Sequence, residues 1–364
     1  MKAFWLSMHA GYACRDAGAC CTAGWPIPIE WPQAAHVRAA VAGGHLRAAV
    51  RWLGVAADQP PDVAGVLATD GSSCIFHRAH RCEIHTVLGH GALPSCCQHF
   101  PRDCVIDDRG VFVTLSHYCP TAAGLLFSYD GALEIVAGPP PVPGGVAEGL
   151  DARGLLPPLL TRQVLMDLPG LSAWQAHVVS WLGGRRNPIG RWSPEPVLAR
   201  LEADARTLAA WRPGTLSLGD AVAGFDDQPE SSVERPRWDE ERALRRMARE
   251  SLTPPFTWPG DPDDLEAAWI HLSEGWTARA GIINRFLAAH AFASWMDYQG
   301  DGVLCGIRRV RLALAVLRAE ALRPARAEND ELTDGTLMQA IRQTDLLLVH
   351  LIDRQRLSAA MTGP

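Results

Sequence analysis

The chain has 364 residues, of which 48% are hydrophobic and 20% charged, and its formal net charge is −6. This composition excludes a disordered chain, and the length suits two or three domains with a substantial core. The acidic balance excludes a global basic field that would recruit nucleic acid or an anionic membrane, so neither is expected as a partner.

The N-terminus has a single cation in its first nine residues and no long apolar core, so it does not predict a signal peptide. No window approaches the run of about 20 apolar residues that a spanning helix needs. We therefore expect a cytoplasmic protein, where disulfides are rare. Lys2 is the only lysine, which leaves no internal lysine for Schiff-base or general-base chemistry.

The first third of the chain has mixed periodicity. Apolar residues recurring at three and four predict a helix from His36 to Leu53. A turn at residues 107–110 precedes Val111 to Leu115, which the pattern predicts as a strand. The stretches that carry cysteines resemble loops and tight turns, and residues 138–145, rich in proline and glycine, predict a linker.

Beyond that linker the periodicity is helical. Helical spacing runs over Leu171 to Leu182, Pro196 to Trp211, Asp263 to Trp276, Ala280 to Tyr298, Val303 to Leu322 and Thr333 to Ala360. Thr333 has the residue type and position of an N-cap, and a mobile loop is expected at about 220–240. The fold class is therefore α+β and mostly helical. We predict a cysteine-rich metal-binding head with few short strands (1–137), a linker (138–150) and an all-helical body (151–364).

Cysteine usage is the most informative feature of the chain. Nine of the ten cysteines lie between Cys14 and Cys119, and nine of the thirteen histidines share that third. Thiolates at this density oxidise, cross-link and capture metals. A metal centre with soft ligands is therefore expected, either iron–sulfur or zinc. A disulfide framework suits shorter, secreted chains better.

The spacing of the cysteines suits ligands that converge on one centre. Gly18 allows a tight fold between Cys14 and Cys20. The cysteines fall into four groups: Cys14 with Cys20 and Cys21, Cys74 with Cys82, Cys96 with Cys97, and Cys119 before Pro120.

These residues carry a resemblance to known families. The turn from Tyr12 to Cys21 resembles the aromatic-x-Cys-x-x-Cys-Gly-x-Cys-Cys opening of the YkgJ-like cysteine-cluster family of zinc- or iron-chelating proteins. The Cys-x-Phe, Cys-x-Ile and Pro-x-x-Cys-x-x-Phe-Pro elements of that family also have counterparts here, the last from Pro94 to Pro101. The segment from Cys20 to Ile27 is similar to the Cys-Cys-x-Gly-Trp element of the flagellin lysine-N-methylase family, with one extra residue. The segment from Leu115 to Ala123 is similar to the Leu-Ser-x-x-Cys-Pro-x-Ala-Ala element of that family. More weakly, Asn284 to Leu287, Ala340 to Arg342 and His350 resemble its helical C-terminal half.

The resemblance implies a ligand set, which we carry over position by position. The implied metal or cofactor ligands are Cys14, Cys20, Cys21, Cys74, Cys82, Cys97 and Cys119. Ala17 stands where the cysteine-cluster family has its second cysteine. Cys96, Cys104, His99 or His117 are candidates to replace it. Cys305, alone on an apolar helical stretch, is expected to be a buried structural thiol.

Seven candidates exceed the four ligands that one cubane cluster or one structural zinc needs. Either two centres exist, or one centre is held by four cysteines while the others are buried thiols. The scarcity of Cys-x-x-Cys knuckles argues mildly against a zinc ribbon, and the methylase resemblance implies a [4Fe–4S] cluster. The histidines at 77, 80, 85 and 90 lack a zinc-hydrolase frame and are expected to face solvent or to support the ligands from behind.

The resemblance implies an enzyme that methylates lysine side chains of a protein substrate, flagellin in that family, with S-adenosylmethionine as donor. No Gly-x-Gly-x-x-Gly turn follows a strand, which argues against a Rossmann-type methyltransferase. The catalytic residues stay unassigned. Two alternatives remain: a non-catalytic protein that stores, delivers or senses zinc or iron, and a metal-dependent oxidoreductase that modifies peptides.

Overall fold

The computed structural model describes residues 1–47, 52–54, 60–71, 73–142, 147–154, 157–187, 192–214, 216–225, 236–260, 262, 264–328 and 331–362. The fold is mixed α+β, with about 52% helix and small sheets. The expected α+β class is therefore confirmed.

Helices dominate the second half of the chain. The helices are α1 (Ala19–Thr22), α2 (Trp31–Ala42), α3 (Glu83–Leu88), α4 (Ser95–His99), α5 (Pro120–Ser128), α6 (Leu168–Trp181), α7 (Pro194–Ala209), α8 (Leu218–Ala223), α9 (Trp238–Glu250), α10 (Leu265–Ala278), α11 (Ala280–Ala291), α12 (Val303–Ala327), α13 (Asp334–Asp345) and α14 (Arg354–Met361). Single-turn 3₁₀ segments occur at His90–Ala92 and Trp295–Tyr298, and a π-helical turn covers Leu346–Leu351.

Strands are short and concentrate in the first 165 residues. They are β1 (Ala3–Leu6), β2 (Pro28–Glu30), β3 (Leu53–Gly54), β4 (Val63–Leu67), β5 (Thr69–Asp70), β6 (Ser73–Cys74), β7 (His77–Arg78), β8 (Arg81–Cys82), β9 (Arg102–Asp107), β10 (Gly110–Leu115), β11 (Ile135–Gly138), β12 (Leu150–Asp151), β13 (Leu159–Thr161) and β14 (Val164–Leu165). The head thus has more strands than expected, because two-residue pairings leave no periodic signal in a sequence.

A five-stranded sheet, ordered β11-β1-β10-β9-β12, is the largest sheet of the described chain. β9 and β10 form a hairpin around the turn predicted at residues 107–110, and the predicted strand lies within β10. β1 pairs parallel with β10 and antiparallel with β11. Every residue of β10 is buried, since the sheet packs against apolar side chains on both faces.

The body packs around α12. This helix contacts α7, α9, α10, α11 and α13, and most of its residues are buried. The body is not all-helical, which corrects our expectation: β13 and β14 form a hairpin near its start. Leu160 points into the core while its neighbours are half-exposed, an alternation too short to predict a strand.

Several predicted helices begin or end at other residues than expected. The helix expected from His36 to Leu53 is α2, because Gly43 caps it and Gly44 has a positive φ of 72°. The Pro196 to Trp211 and Val303 to Leu322 predictions correspond to α7 and α12, and the Leu171 to Leu182 prediction to α6. The Asp263 to Trp276 prediction corresponds to α10.

Two long predicted helices are interrupted. The segment from Ala280 to Tyr298 breaks after α11, where Ala293 has φ 54°. Thr333 is the N-cap of α13 and forms a capping box with Thr336, as expected. A π-helical turn follows α13, and α14 starts afresh behind Asp353.

The loop expected at about 220–240 is shorter than predicted. α8 and α9 occupy its two ends, and residues 226–235 lie outside the described part of the chain. The predicted linker starts where β11 ends and finishes in β12, with residues 143–146 also outside the described part. The domain division stays a prediction.

Head and body share a hydrophobic core. Leu6 of β1 and Phe112 of β10 belong to the same buried cluster as Trp174 of α6 and Phe286 of α11. A second, smaller core inside the head contains Phe76 and the buried thiols.

A contact near the C-terminus also joins the two halves. The Trp25 indole packs on the His350 imidazole with ring centroids 4.7 Å apart. His350 Nε2 lies 2.7 Å from Ser116 Oγ. Burial lowers the pKa of His350 to about 4, so this ring is neutral at pH 7.

Candidate metal centre

Cys20 and Cys21 lie on the single turn of α1, directly after Gly18. Gly18 has φ 67°, and a Cβ there would lie 2.6 Å from His77 Nε2. Only glycine fits this position without strain, so the tight fold predicted between Cys14 and Cys20 is present. This turn brings α1 against β6, which carries Cys74.

The other thiols come from short elements of the same head. Cys74 ends β6, Cys82 ends β8 and caps α3, and Cys96 and Cys97 lie on α4. The segments that carry these cysteines are tight turns between short strands and helices, so their side chains approach one another from several directions. Cys119 is the N-cap residue of α5.

Six thiols form a continuous chain of side-chain contacts. Cys96 contacts Cys97, Cys97 contacts Cys20, Cys20 contacts Cys21, and Cys21 contacts both Cys74 and Cys82. All of these cysteines except Cys96 are in the ligand set that the resemblance implied. All ten cysteines are free thiols.

The contacts perturb thiol ionisation strongly. Interactions with Cys21 and Cys97 lower the pKa of Cys20, whereas the same pairings raise the pKa values of Cys21 and Cys97. Cys21 also lowers the pKa of Cys74. Neighbouring thiolates repel one another, so ionisation of one opposes ionisation of the next. A cation among them would remove this conflict, because thiolates are its natural ligands.

A cavity next to this chain adds the two remaining candidates. Its lining includes Cys14, Cys20, Cys82, Cys97 and Cys119. Cys21 contacts the lining thiols of Cys20 and Cys82, and Cys74 in turn contacts Cys21. The structure therefore brings all seven predicted ligands together.

Cys14 and Cys119 occupy the end of the cavity near Tyr12. Tyr12 Oη lies 3.6 Å from Cys119 Sγ. Burial and the neighbouring thiols raise the pKa of Tyr12, and burial raises that of Cys14. Cys14 is exposed while Cys119 is buried, so the cavity opens on the side of Cys14.

Two further ligand residues, Asp16 and His85, join Cys14 at this opening. The ligand atoms of the three residues all lie within 4.8 Å of one another. Asp16 Oδ1 contacts His85 Nδ1 directly, and Asp16 has a left-handed φ of 55°. Sequence reasoning missed Asp16 and placed His85 only among supporting groups. The signal was present: Asp16 is one residue from Ala17, where the family cysteine is missing.

Cys96, one of the proposed substitutes for that cysteine, contacts the thiol chain through Cys97. Its Sγ also lies 3.8 Å from the carbonyl oxygen of Pro28, and it is outside the cavity lining. Cys104 is wholly buried in β9, where burial raises the pKa of its thiol to about 12.

The two histidine substitutes are also outside the lining. His99 Nε2 lies 3.8 Å from a carboxylate oxygen of Glu148. His117 Nδ1 lies 3.0 Å from Asp345 Oδ2, on the far side of residues 115–119. Ala17 itself does line the cavity.

Cys305 behaves as a structural thiol, as its sequence context predicted. It is buried in α12 and its Sγ lies 3.6 Å from Met296 Sδ. Burial raises the pKa of Cys305, which opposes the thiolate that a metal would need.

The donor set suits a soft metal. Thiolates with the imidazoles of His85 and His90 and one carboxylate favour zinc or iron–sulfur ligation over magnesium or calcium. The cavity measures about 30 Å³. That is room for a single ion and a water, whereas a cluster needs the lining cysteines to turn outward.

Comparison with protein-family models, curated proteins and solved structures finds no match for this chain. None of the described helices combines the length and the apolar character that crossing a membrane requires.

Proposed function

We propose that this protein is a metal-binding enzyme whose centre is held by the cysteines of its head. The proposal rests on one observation: five of the seven implied ligands line one cavity, Cys21 contacts two of them, and Cys74 contacts Cys21. The resemblance adds the cofactor and reaction. They are a [4Fe–4S] cluster and the methylation of protein lysine side chains by S-adenosylmethionine.

The residues divide into two roles under this proposal. The thiols of Cys20, Cys21, Cys74, Cys82 and Cys97 would hold the centre, because each of them contacts at least one other thiol of the chain. A cluster iron that lacks a cysteine ligand supplies a position for the amino and carboxylate groups of a cofactor.

The open side of the cavity is the place for exchange with solvent. Ala17 leaves wall space there, and Cys14, Asp16 and His85 surround it. Asp16 and His85 would orient a polar ligand or complete the coordination, as carboxylate–histidine pairs do at metal sites. A substrate lysine would approach from this side, where Cys14 is exposed.

A zinc protein without catalysis is the second candidate. The small cavity favours it, since one ion fits among the thiols without rearrangement. Storage, delivery or sensing would then be the role, and the exposed group of Cys14, Asp16 and His85 would be the entry point for the ion.

Anaerobic purification separates the two candidates. We expect a brown protein with a broad thiolate-to-iron absorption band and matching amounts of iron and acid-labile sulfide. A colourless protein with stoichiometric zinc would overturn the cluster and support the second candidate. A protein with neither metal after reconstitution with each would overturn both.

The reaction needs its own experiment. Addition of S-adenosylmethionine should change the absorption or electron-resonance spectrum of the loaded protein. Methyl transfer from labelled donor to an added lysine-rich protein such as flagellin should then be measurable. The background is low, because the chain carries Lys2 as its only lysine. A loaded cluster with neither response would reject the methylase assignment but keep the metal centre.

A further inference from the structure

A second polar cavity lies behind the segment that carries Cys119. Its lining includes Ser116, His117, His290, Asp345 and Arg309. It measures about 20 Å³, enough for a water or a small anion. Ser116 and His117 reach it from the end of β10, and Arg309 reaches it from α12. None of these side chains belongs to the cysteine cavity.

Arg309 is a buried cation with two donor nitrogens that the described residues leave unused. Its side chain is buried, and Nε and Nη1 have no hydrogen-bond partner in the described part of the chain. Its guanidinium packs over the Trp295 ring at 5.5 Å from the centroid. Burial, with repulsion from Arg354, lowers the pKa of Arg309 to about 10, so it stays protonated at neutral pH.

The carboxylates near Arg309 are engaged by other groups. Asp103 Oδ2 accepts from Arg354 Nη2 at 2.8 Å. Asp345 is shared by two imidazoles, with Oδ1 2.7 Å from His290 Nε2 and Oδ2 3.0 Å from His117 Nδ1. The backbone N–H of His117 also donates to Asp345. Asp103 and Asp345 attract the guanidinium across the cavity that Arg309 lines, but neither accepts a hydrogen bond from its Nε or Nη1.

Buried charges in proteins are paired, and buried N–H groups find acceptors. We propose that this cavity binds a small carboxylate anion, of the size of formate, which accepts hydrogen bonds from Arg309. A carboxylate suits the site because its two oxygens accept from several guanidinium N–H groups at once. The site is independent of the metal centre and of the proposed reaction.

Thermal unfolding of the full-length protein tests this site. Sodium formate should raise the unfolding temperature by several degrees more than sodium chloride at equal ionic strength, with a saturating dependence on concentration. Arg309→Met should remove this difference. Arg326→Met, on the same helix but 43% exposed, should keep it. Line broadening of carbon-13 formate on adding protein gives a second readout.

A cavity-filling variant covers the case in which Arg309→Met fails to fold. Ala289→Val retains the cation and adds two methyl groups where Ala289 lines the cavity. It should raise the formate concentration needed for half-maximal stabilisation at least tenfold. Equal effects of formate and chloride on the native protein, or a formate effect that survives in both cavity variants, would overturn the proposal. The cavity would then hold water only.

Discussion

The thiol of Cys20 contacts that of Cys97 across the interface between α1 and α4. This contact links α4 to the other thiols of the chain, because Cys20 also contacts Cys21. Neither helix exceeds five residues, so the contact depends on the surrounding turns. A bound metal would stabilise these turns by tying both helices to one ion or cluster.

Cys97→Ser should therefore remove most of the bound metal, since a serine hydroxyl is a poor soft-metal ligand. Cys305→Ser is the matched control, because that thiol packs against Met296 inside the body. Metal per chain, measured by plasma emission after anaerobic purification, should fall sharply only in the first variant. Equal metal in both variants would contradict the ligand assignment.

His85→Ala tests the opening of the cavity. Loss of the imidazole should weaken metal binding about 10- to 100-fold, the usual effect of removing a group that supports or completes a metal site. His36→Ala, an exposed histidine of α2, should leave the affinity unchanged. Competition with a chromophoric chelator measures both. An unchanged affinity in His85→Ala would remove this residue from the site.

Arg318 is a structural cation, and its loss should destabilise the body. It is fully buried, pairs with Glu195 and Glu241, and stacks over Trp269 at 4.8 Å. Arg318→Met leaves Glu195 without its cation and Glu241 with Arg245 alone, and should cost about 3–5 kcal/mol of unfolding free energy. Arg326→Met should cost less than about 1 kcal/mol, since its ion pair is exposed. Urea denaturation distinguishes the two, and a loss below about 1 kcal/mol for Arg318→Met would refute the role.

Asp297 should make stability depend on pH. Burial raises the pKa of Asp297 to about 7, so the folded state keeps a proton there that the unfolded state releases near pH 4. The folded state binds more protons between these values, and stability therefore falls as pH rises from about 4 to 7. The full shift corresponds to roughly 4 kcal/mol.

Asp297→Asn removes this loss, because an amide carries no charge at any of these pH values. The variant should be more stable than the native protein at pH 8 and nearly equal to it at pH 4.5. Asp301→Asn, at a partly exposed ion pair with Arg162, is the control and should show no such crossover. Parallel urea titrations at the two pH values provide the measurement, and superimposable profiles for Asp297→Asn and the native protein would disprove the account.

Local signals account for what could be predicted of the fold. The periodicity of α12 and the capping threonine at residue 333 are properties of contiguous residues, and both appear as expected. The two-residue strands β6 and β8 pair with β5 and β7, each separated from its partner by two residues. Strands of two residues are too short to leave an alternating pattern in the sequence.

The candidate metal centre could also be predicted only in part from the sequence. The seven cysteines could be selected from motifs, and the structure places them together. Asp16 joins the cavity through a left-handed backbone conformation, which spacing alone does not reveal. In the sequence, Arg309 is one more arginine on a helix. Only the structure shows that it is buried and that its Nε and Nη1 have no hydrogen-bond partner among the described residues. The periodicity of a sequence does not reveal a buried charge, because the role of that charge depends on the residues that pack against it.

The core shared by β1 and the helical body decides how the protein can be divided in the laboratory. Leu6 and Phe112 belong to one buried cluster with residues of α6 and α11. Residues 1–137 produced alone would therefore expose these side chains to water as an apolar surface that promotes aggregation. Such a fragment would accumulate as insoluble material, even with its cysteines intact. Co-expression with residues 151–364 should return it to solution, because the missing half of its interior comes from the other fragment.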